Sequence, residues 1–363
     1  MILFLFKNGR ASRLASPGVH PTEFFYGYVE LGALGWQVSM LDEEDLGIRN
    51  PLPLLGRLLA VLGWALGGLP IAALPFLART ENLLRLNQAE VIVATTNSFG
   101  VGAAILKRLG YLKPAVFLLP MGLARQPLSP WLAGLYRWTL SGTRILSISR
   151  GEQGFLSRAL GANVPVDYLP FGVDERFWQP GQAGDDGYVL SIGNDQARDY
   201  VTLLAAWRPE YPPLRIVTSL PVSSAAANVE IICGDWRSQI LSDEEIRRLY
   251  QRARFVVLPI RETLQPSGQS ACLQAMACGK AVVFSDIQGL WDRQLMVDGE
   301  TLLLTRPGDP IDLRRAIEKL LASPDLATAV GQNARQVIAE HLNVRLMARQ
   351  LAVHLESRMP RPS

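Results

Sequence analysis

An alternation of strand and helix signals that runs once, stops and starts over is the feature of this 363-residue sequence that most narrows its fold. In the first half, apolar runs read as strands at 2–6, 37–41, 90–96, 115–120 and 144–149, separated by helical stretches such as "TEFFYGYVELGALG" and "GVGAAILKRLG". A second series stands at 188–193, 214–219, 229–234, 254–260, 281–286 and 301–305. Strands that alternate with helices form parallel sheets covered on both faces. Two such series predict an α/β chain of two doubly wound domains, and the length exceeds what one compact core takes. Between them "VDYLPFGVDERFWQPGQAGDDG" (166–187) is rich in Pro, Gly and acidic residues, as linkers are. The last 60 or so residues carry apolar side chains at helical spacing. The expected division is 1–172, 173–345 and a terminal helix over 346–363.

Composition excludes several classes. A net charge of +3 with 19% charged residues does not suit a nucleic-acid partner, and 48% hydrophobic residues describe a globular chain. Cys233, Cys272 and Cys278 have no His at a metal-ligand spacing, so they read as buried thiols of a reducing compartment. "MILFLFKNGR" reads as a first strand and lacks a basic leader and cleavage site, which places the expected location in the cytoplasm. The glycine of "KNGR" lacks the rest of a dinucleotide fingerprint, which argues against a dehydrogenase. No clustered His/Cys/Asp set supports a metallohydrolase, and no carboxylate pair supports a glycosidase.

One stretch resists the soluble picture. Leu58 to Ala78, "LLAVLGWALGGLPIAALPFLA", is uncharged and long enough to span a bilayer. Gly63, Gly67, Gly68, Pro70 and Pro75 would break a spanning helix, and the α/β pattern continues on both sides. Two readings stay open: a pair of core helices, or a hydrophobic flap that meets a membrane or a lipid-like acceptor. Arg49, Arg57, Arg79 and Arg85 flank it with positive charge suited to an anionic membrane surface, which would make the protein peripheral at the inner face.

Two motifs in the second half carry chemistry. In "PSGQSACLQAMACGKAVVFSD" (266–286) a helix starts at Ser267, Gly268, Gln269 and Ser270, and the N–H groups of Gly268, Gln269 and Ser270 together with the helix dipole suit an anion such as a diphosphate. After the strand "VLSIG", the turn Gly193-Asn194-Asp195 leads to Arg198, at the carboxyl end of a strand where open α/β sheets bind ligands.

"PFGVDERFW", "VLSIGNDQARDYVTLLAAW", "SGQSACLQAMACGKAVVFSD" and "DGETLLLTRPGDPIDLRRAIEKLLASPD" stand in an order and spacing that resembles the C-terminal half of family 4 glycosyltransferases. The resemblance is strong over 145–345 and weaker before it. It implies a GT-B fold, in which two Rossmann-like domains face a cleft and a C-terminal helix crosses back to the first domain. It implies a nucleotide-sugar donor on the second domain, an acceptor on the first, retention of anomeric configuration, and no cofactor or metal ion. Donor contacts are expected from Gly193, Asn194, Arg198, Ser267, Gly268, Gln269, Ser270 and Gln274. The departures are specific. Asn194 stands where the family has an Arg and Arg198 at or beside its Lys. Pro266 and Gln274 replace two glutamates, the second of which meets the donor ribose, a contact Gln274 can make through its amide. Pro120, Met121 and Gly122 occupy the place of a His often found after the fourth strand. His20 and Glu23, in a loop after the first strand, are candidates for the acceptor side, and with Arg198 form the expected catalytic set. The resulting expectation is a hexosyltransferase of polysaccharide, glycolipid or glycoside synthesis. The acceptor is unidentified, with a lipid-linked or membrane-derived one suggested by 58–78. The alternative is a catalytically weak GT-B-fold binding protein in a glycan-assembly complex, because both glutamates, the Arg and the His are changed.

Overall fold

Each strand series forms its own parallel sheet. The computed structural model describes residues 1–16, 18–48, 54–66, 68–123, 128–182, 184–234 and 240–357. These divide into unit 1, Met1–Pro17 with Phe24–Pro170 and Arg345–Ser363, and unit 2, Gly18–Glu23 with Phe171–Val344. The short stretch 18–23, expected in the first domain, therefore lies with the second unit.

In unit 1 the strands among the described residues are β1 (Ile2–Leu5), β2 (Val38–Leu41), β3 (Val91–Ala94), β4 (Ala115–Leu118), β5 (Thr143–Ser147) and β6 (Val166–Tyr168), in the order β2-β1-β3-β4-β5-β6. All pairings are parallel. β6 lies inside the stretch expected as linker: three residues suffice because Val166–Tyr168 pairs with Ile145–Ser147. The helices are α1 (Arg10–Leu14), α2 (Tyr28–Ala33), α3 (Leu54–Ala65), α4 (Leu74–Leu77), α5 (Thr80–Leu86), α6 (Asn97–Arg108), α7 (Pro130–Leu140) and α8 (Arg150–Leu160). The helix expected from residue 22 begins only at Tyr28, because Tyr26 (φ 51°) and Gly27 (φ 86°) hold left-handed conformations.

Unit 2 holds β7 (Val189–Ile192), β8 (Leu214–Thr218), β9 (Val229–Cys233), β10 (Val256–Leu258), β11 (Val282–Ser285) and β12 (Leu303–Thr305), in the parallel order β12-β11-β10-β7-β8-β9. Its helices are α9 (Tyr200–Ala206), α10 (Asp243–Arg252), α11 (Gln269–Ala277), α12 (Pro310–Ala322) and α13 (Pro324–His341). The expected capping box is present: Ser242 Oγ accepts from the Glu245 N–H at 3.2 Å, and Glu245 Oε2 accepts from the Ser242 N–H at 2.7 Å. The last helix, α14 (Val344–Glu356), packs with unit 1, where a Cβ on Gly27 would lie 3.2 Å from Ala348 Cα.

The apolar stretch divides in two. Phe76 and Leu77 of α4 are buried in the unit 1 core against α6. On α3 the buried positions are Gly56 and Gly63, while Leu54, Leu55, Leu58, Val61, Leu62 and Trp64 are exposed. Among the described residues no helix is long and apolar enough to cross a membrane. Arg49 and Gly67 lie outside the described residues. Cys272 and Cys278 are buried, but Cys233 is exposed at the end of edge strand β9, so the expectation of three buried thiols holds for two.

Candidate functional site

Strand order locates the site before any side chain is considered. In unit 2 the connections reverse direction between β7 and β10, and an open α/β sheet forms a ligand crevice outside the carboxyl ends of the strands at such a point. The segments leaving those two strands are 193–198 and 259–268, which hold Gly193, Asn194, Arg198, Ser267 and Gly268, and α11 follows with Gln269, Ser270 and Gln274.

The turn after β7 is locked by hydrogen bonds. The Gly193 carbonyl accepts from Tyr200 Oη at 2.7 Å and Thr218 Oγ1 at 2.8 Å. Asn194 Nδ2 donates to the Gly234 carbonyl at 2.8 Å, and its Oδ1 accepts from the Ser219 N–H at 2.6 Å. The Asn194 amide thus braces the turn; its expected donor contact is already replaced by backbone partners. The guanidinium of Arg198 lies directly over Gly193, where a Cβ would stand 2.1 Å from Nε. Gly193 has φ 149°, so neither the backbone nor the space admits another residue easily. Arg198 is 4% exposed. Its Nε lies 2.8 Å from Asp195 Oδ2 but out of line for a hydrogen bond, and Nη1 has no partner among the described residues. A buried cation with open donors is costly unless something fills them.

A second cation comes from β10, and sequence reasoning missed it. Arg261 Nη2 donates to the Arg198 carbonyl at 3.0 Å, and the Arg261 N–H donates to the Ala197 carbonyl at 2.8 Å. Arg198 also pairs with Ile260 in an isolated antiparallel bridge, which ties the two strand ends together.

α11 starts beside this pair. Gly268 caps it at φ 79°, where a Cβ would come within 3.0 Å of both Ile260 and Phe284. The Gln269 N–H turns back to the Pro266 carbonyl at 3.3 Å, so of the three N–H groups expected to be open, those of Gly268 and Ser270 remain. Ser267 donates its own N–H to the Gln265 carbonyl at 2.7 Å. Ile260, which a Cβ on Gly268 would touch, is the residue that Arg198 pairs with, so the helix start and the Arg198 backbone meet at one strand end.

Gln274, further along α11, meets Glu23. Gln274 Nε2 donates to Glu23 Oε1 at 3.0 Å, and Tyr250 Oη donates to Gln274 Oε1 at 3.3 Å. Trp178 Nε1 donates to the same Glu23 oxygen at 2.7 Å, and the Asp174 N–H to Oε2 at 3.3 Å. Glu23 has no solvent exposure, and burial pushes its carboxyl up to about 7. This corrects two expectations: Glu23 is an interior acceptor instead of a group presented to substrate, and the Gln274 amide expected to meet ribose is occupied at both ends. His20 is better placed. Its Nδ1 lies 2.7 Å from Asp243 Oδ2, and the ring is 30% exposed. Because α10 connects parallel strands β9 and β10, it begins at their carboxyl end, so the His20–Asp243 pair lies at the same end of the sheet as Gly193 and Gly268.

In unit 1 the strand order reverses between β1 and β3. Asn97, at the start of α6, accepts from the Met121 N–H at 3.1 Å and donates to the Gly122 carbonyl at 3.2 Å. Glu152 Oε1 accepts from the Leu123 N–H at 2.8 Å. The loop that lacks the family's His is therefore held by two side chains, and burial pushes Glu152 up to about 7.

Residues 220–323 match the protein-family model described as glycosyl transferases group 1. The chain is 26% identical over 322 residues to an alpha-maltose-1-phosphate synthase of Mycolicibacterium smegmatis, covering 75% of this chain and 80% of the relative. It is 36% identical over 74 residues to an uncharacterized glycosyltransferase of Methanocaldococcus jannaschii, covering 20% of this chain and 18% of that one. Among solved structures it is similar to sucrose-phosphate synthase from Thermosynechococcus elongatus, with a TM-score of 0.71 at 18% identity over 98% of each chain. Anabaena HepE in complex with UDP gives a TM-score of 0.67 at 16% identity over 98% of this chain and 99% of that one. The fold is thus GT-B, and the group 1 match over 220–323 supports a glycosyltransferase.

Proposed function

We propose that the protein transfers a sugar from a nucleoside-diphosphate donor, with the diphosphate lying between Arg198 and the start of α11. The observation that carries this reading is the buried Arg198 guanidinium with an open Nη1 at the switch point, beside the free N–H groups of Gly268 and Ser270. Arg261 at the rim adds a second cation. Together they stabilise charge on the departing diphosphate as the bond from its oxygen to the anomeric carbon breaks. Two cations and a helix start supply that charge in this reading, which requires no metal ion. The acceptor hydroxyl bonds to the same face of the anomeric carbon and its proton passes to the leaving phosphate oxygen, which gives retention. His20, aligned by Asp243, is assigned to sugar or acceptor hydroxyls. HepE has been solved with UDP and with UDP-glucose, which makes UDP-glucose the first donor to try.

Turnover of UDP-, GDP- and dTDP-sugars tests the reading. Hydrolysis or transfer with one of them, lost in Arg198→Ala, supports it. Nucleotide binding without turnover would instead identify the binding protein of a glycan-assembly complex.

The acceptor side of the reading rests on α3. This helix packs Gly56, Leu59 and Gly63 inward and turns six large apolar side chains outward. A Cβ on Gly63 would stand 2.1 Å from the Leu69 carbonyl oxygen, so the inward face is fixed. Six exposed apolar residues including Trp64, with Arg57 among them, suit insertion into the headgroup region of an anionic bilayer. The protein is then peripheral at the cytoplasmic face, and the acceptor is lipid-linked or membrane-derived. Co-sedimentation with anionic liposomes checks this. Binding that salt weakens and that replacement of Leu62 and Trp64 by Ser abolishes is expected. A protein that stays in the supernatant at low salt contradicts it.

A further inference from the structure

The amino end of the unit 2 sheet, opposite Gly193 and Gly268, holds a cavity of about 680 Å³. Arg254 and Phe255 reach it just before β10, Lys280 and Ala281 just before β11, and the first turns of α13 close one side. Val256 and Val282 are register partners, so Arg254 and Lys280 stand two residues back on adjacent parallel chains. No carboxylate among the described residues comes within ion-pair distance of either; Asp185, which also lines the cavity, acts on Lys280 only at longer range.

A third cation points the same way. Arg335 is held by the Trp178 and Glu175 carbonyls at 3.2 and 3.1 Å, which fix its position without matching its charge. Burial lowers the pKa of Lys280, so its ammonium sits where water no longer stabilises it fully. The remaining wall mixes the polar side chains of Gln182, Gln251, Thr328 and Gln332 with apolar surface from Pro180, Pro324 and Ala327, in front of the buried Phe255 and Leu320. Three cations against one carboxylate, with partly apolar walls and a space larger than an inorganic ion needs, suit an anionic group carried on an organic body.

We propose that this cavity is a second ligand site, separate from the donor site, that binds a small phosphorylated molecule with its phosphate on Arg254 and Lys280 and its organic part against Pro180, Pro324 and Ala327. The site stands independently of the transferase reading, and the test keeps the two apart by working in an Arg198→Ala background, where the donor site has lost its buried cation. Glucose 6-phosphate, glucose and inorganic phosphate are titrated into that protein by calorimetry. One-to-one binding of glucose 6-phosphate is expected, with inorganic phosphate weaker and glucose silent. Adding Arg254→Gln and Lys280→Met should weaken it by about tenfold or more, the loss of charge-assisted hydrogen bonds, with an unchanged unfolding temperature. Should the double replacement fail to fold, Lys280→Met alone gives the same reading. No saturable binding of either phosphate at millimolar concentration, or binding that survives the replacements in folded protein, overturns the proposal.

Discussion

Two polar clusters of unit 2 share helix α11 and are built in opposite ways. Around Gln274, Glu23 collects hydrogen bonds from Trp178, Gln274 and the Asp174 backbone, and Gln274 in turn accepts one from Tyr250. Around Arg198 the guanidinium is equally buried, yet Nη1 and the neighbouring N–H groups of Gly268 and Ser270 stay open among the described residues. The first cluster is complete without a ligand. The second leaves donors unpaired among the described residues. In the reading proposed above, open donors at the strand switch point are a better guide to the donor site than conformity to a family pattern, since Gln274 stands at a donor-binding position of that pattern and yet is already occupied.

The contrast breaks first at Gln274. Gln274→Glu would set a second carboxyl 3.0 Å from Glu23 in the interior. We expect it to lower stability by about 3 kcal/mol or more, read by urea unfolding, because one buried charge would be left uncompensated. A variant as stable as the parent would show that the cluster opens to solvent.

Next in size is a pH effect. Burial raises Glu23 in unit 2 and Glu152 in unit 1 from 4.5 to about 7. Between those values the folded state holds more protons than the unfolded one, so stability falls as pH rises from about 4.5 to 7, by about 3 kcal/mol for each group. Glu23→Gln should flatten the unit 2 part of the slope and Glu152→Gln the unit 1 part. An unchanged slope in both variants would mean that neither carboxyl stays protonated inside.

Gly193→Ala sharpens the other side of the comparison. Its Cβ would displace the Arg198 guanidinium without removing the charge, and we expect UDP affinity to fall about tenfold, or 1.4 kcal/mol. Unaltered affinity would show that the guanidinium does not need its seat on Gly193. The smallest effect belongs to α3: Leu62→Ser and Trp64→Ser should change stability by within about 0.5 kcal/mol, since both side chains face solvent. A large loss on chemical unfolding would return the helix to the core.

Much of the fold was legible because β-rich runs and helical periods repeat twice in register with a parallel architecture, and each period is a local property of the chain. The site was legible where backbone conformation dictates residue type, as at Gly193 and Gly268. It was not legible where partners come from distant segments. Arg261 lies 63 residues from Arg198 and meets it only because β10 neighbours β7. Glu23 reaches Gln274 across 251 residues, so a loop carboxylate that reads as solvent-facing turns out to be interior. Residues 58–78 could not be divided from composition alone, since the whole stretch is uncharged; that α3 packs Gly56, Leu59 and Gly63 inward is a property of its packing.

The central claim is that Arg198 is held open for a donor diphosphate. Calorimetric titration of UDP, GDP and dTDP into the parent and into Arg198→Ala tests it most directly. The account predicts one-to-one binding of at least one nucleotide by the parent, a loss of about 1.5 to 3 kcal/mol in the variant, and no loss of folding stability. Equal affinity in the two proteins, or no nucleotide binding by the parent, would contradict it.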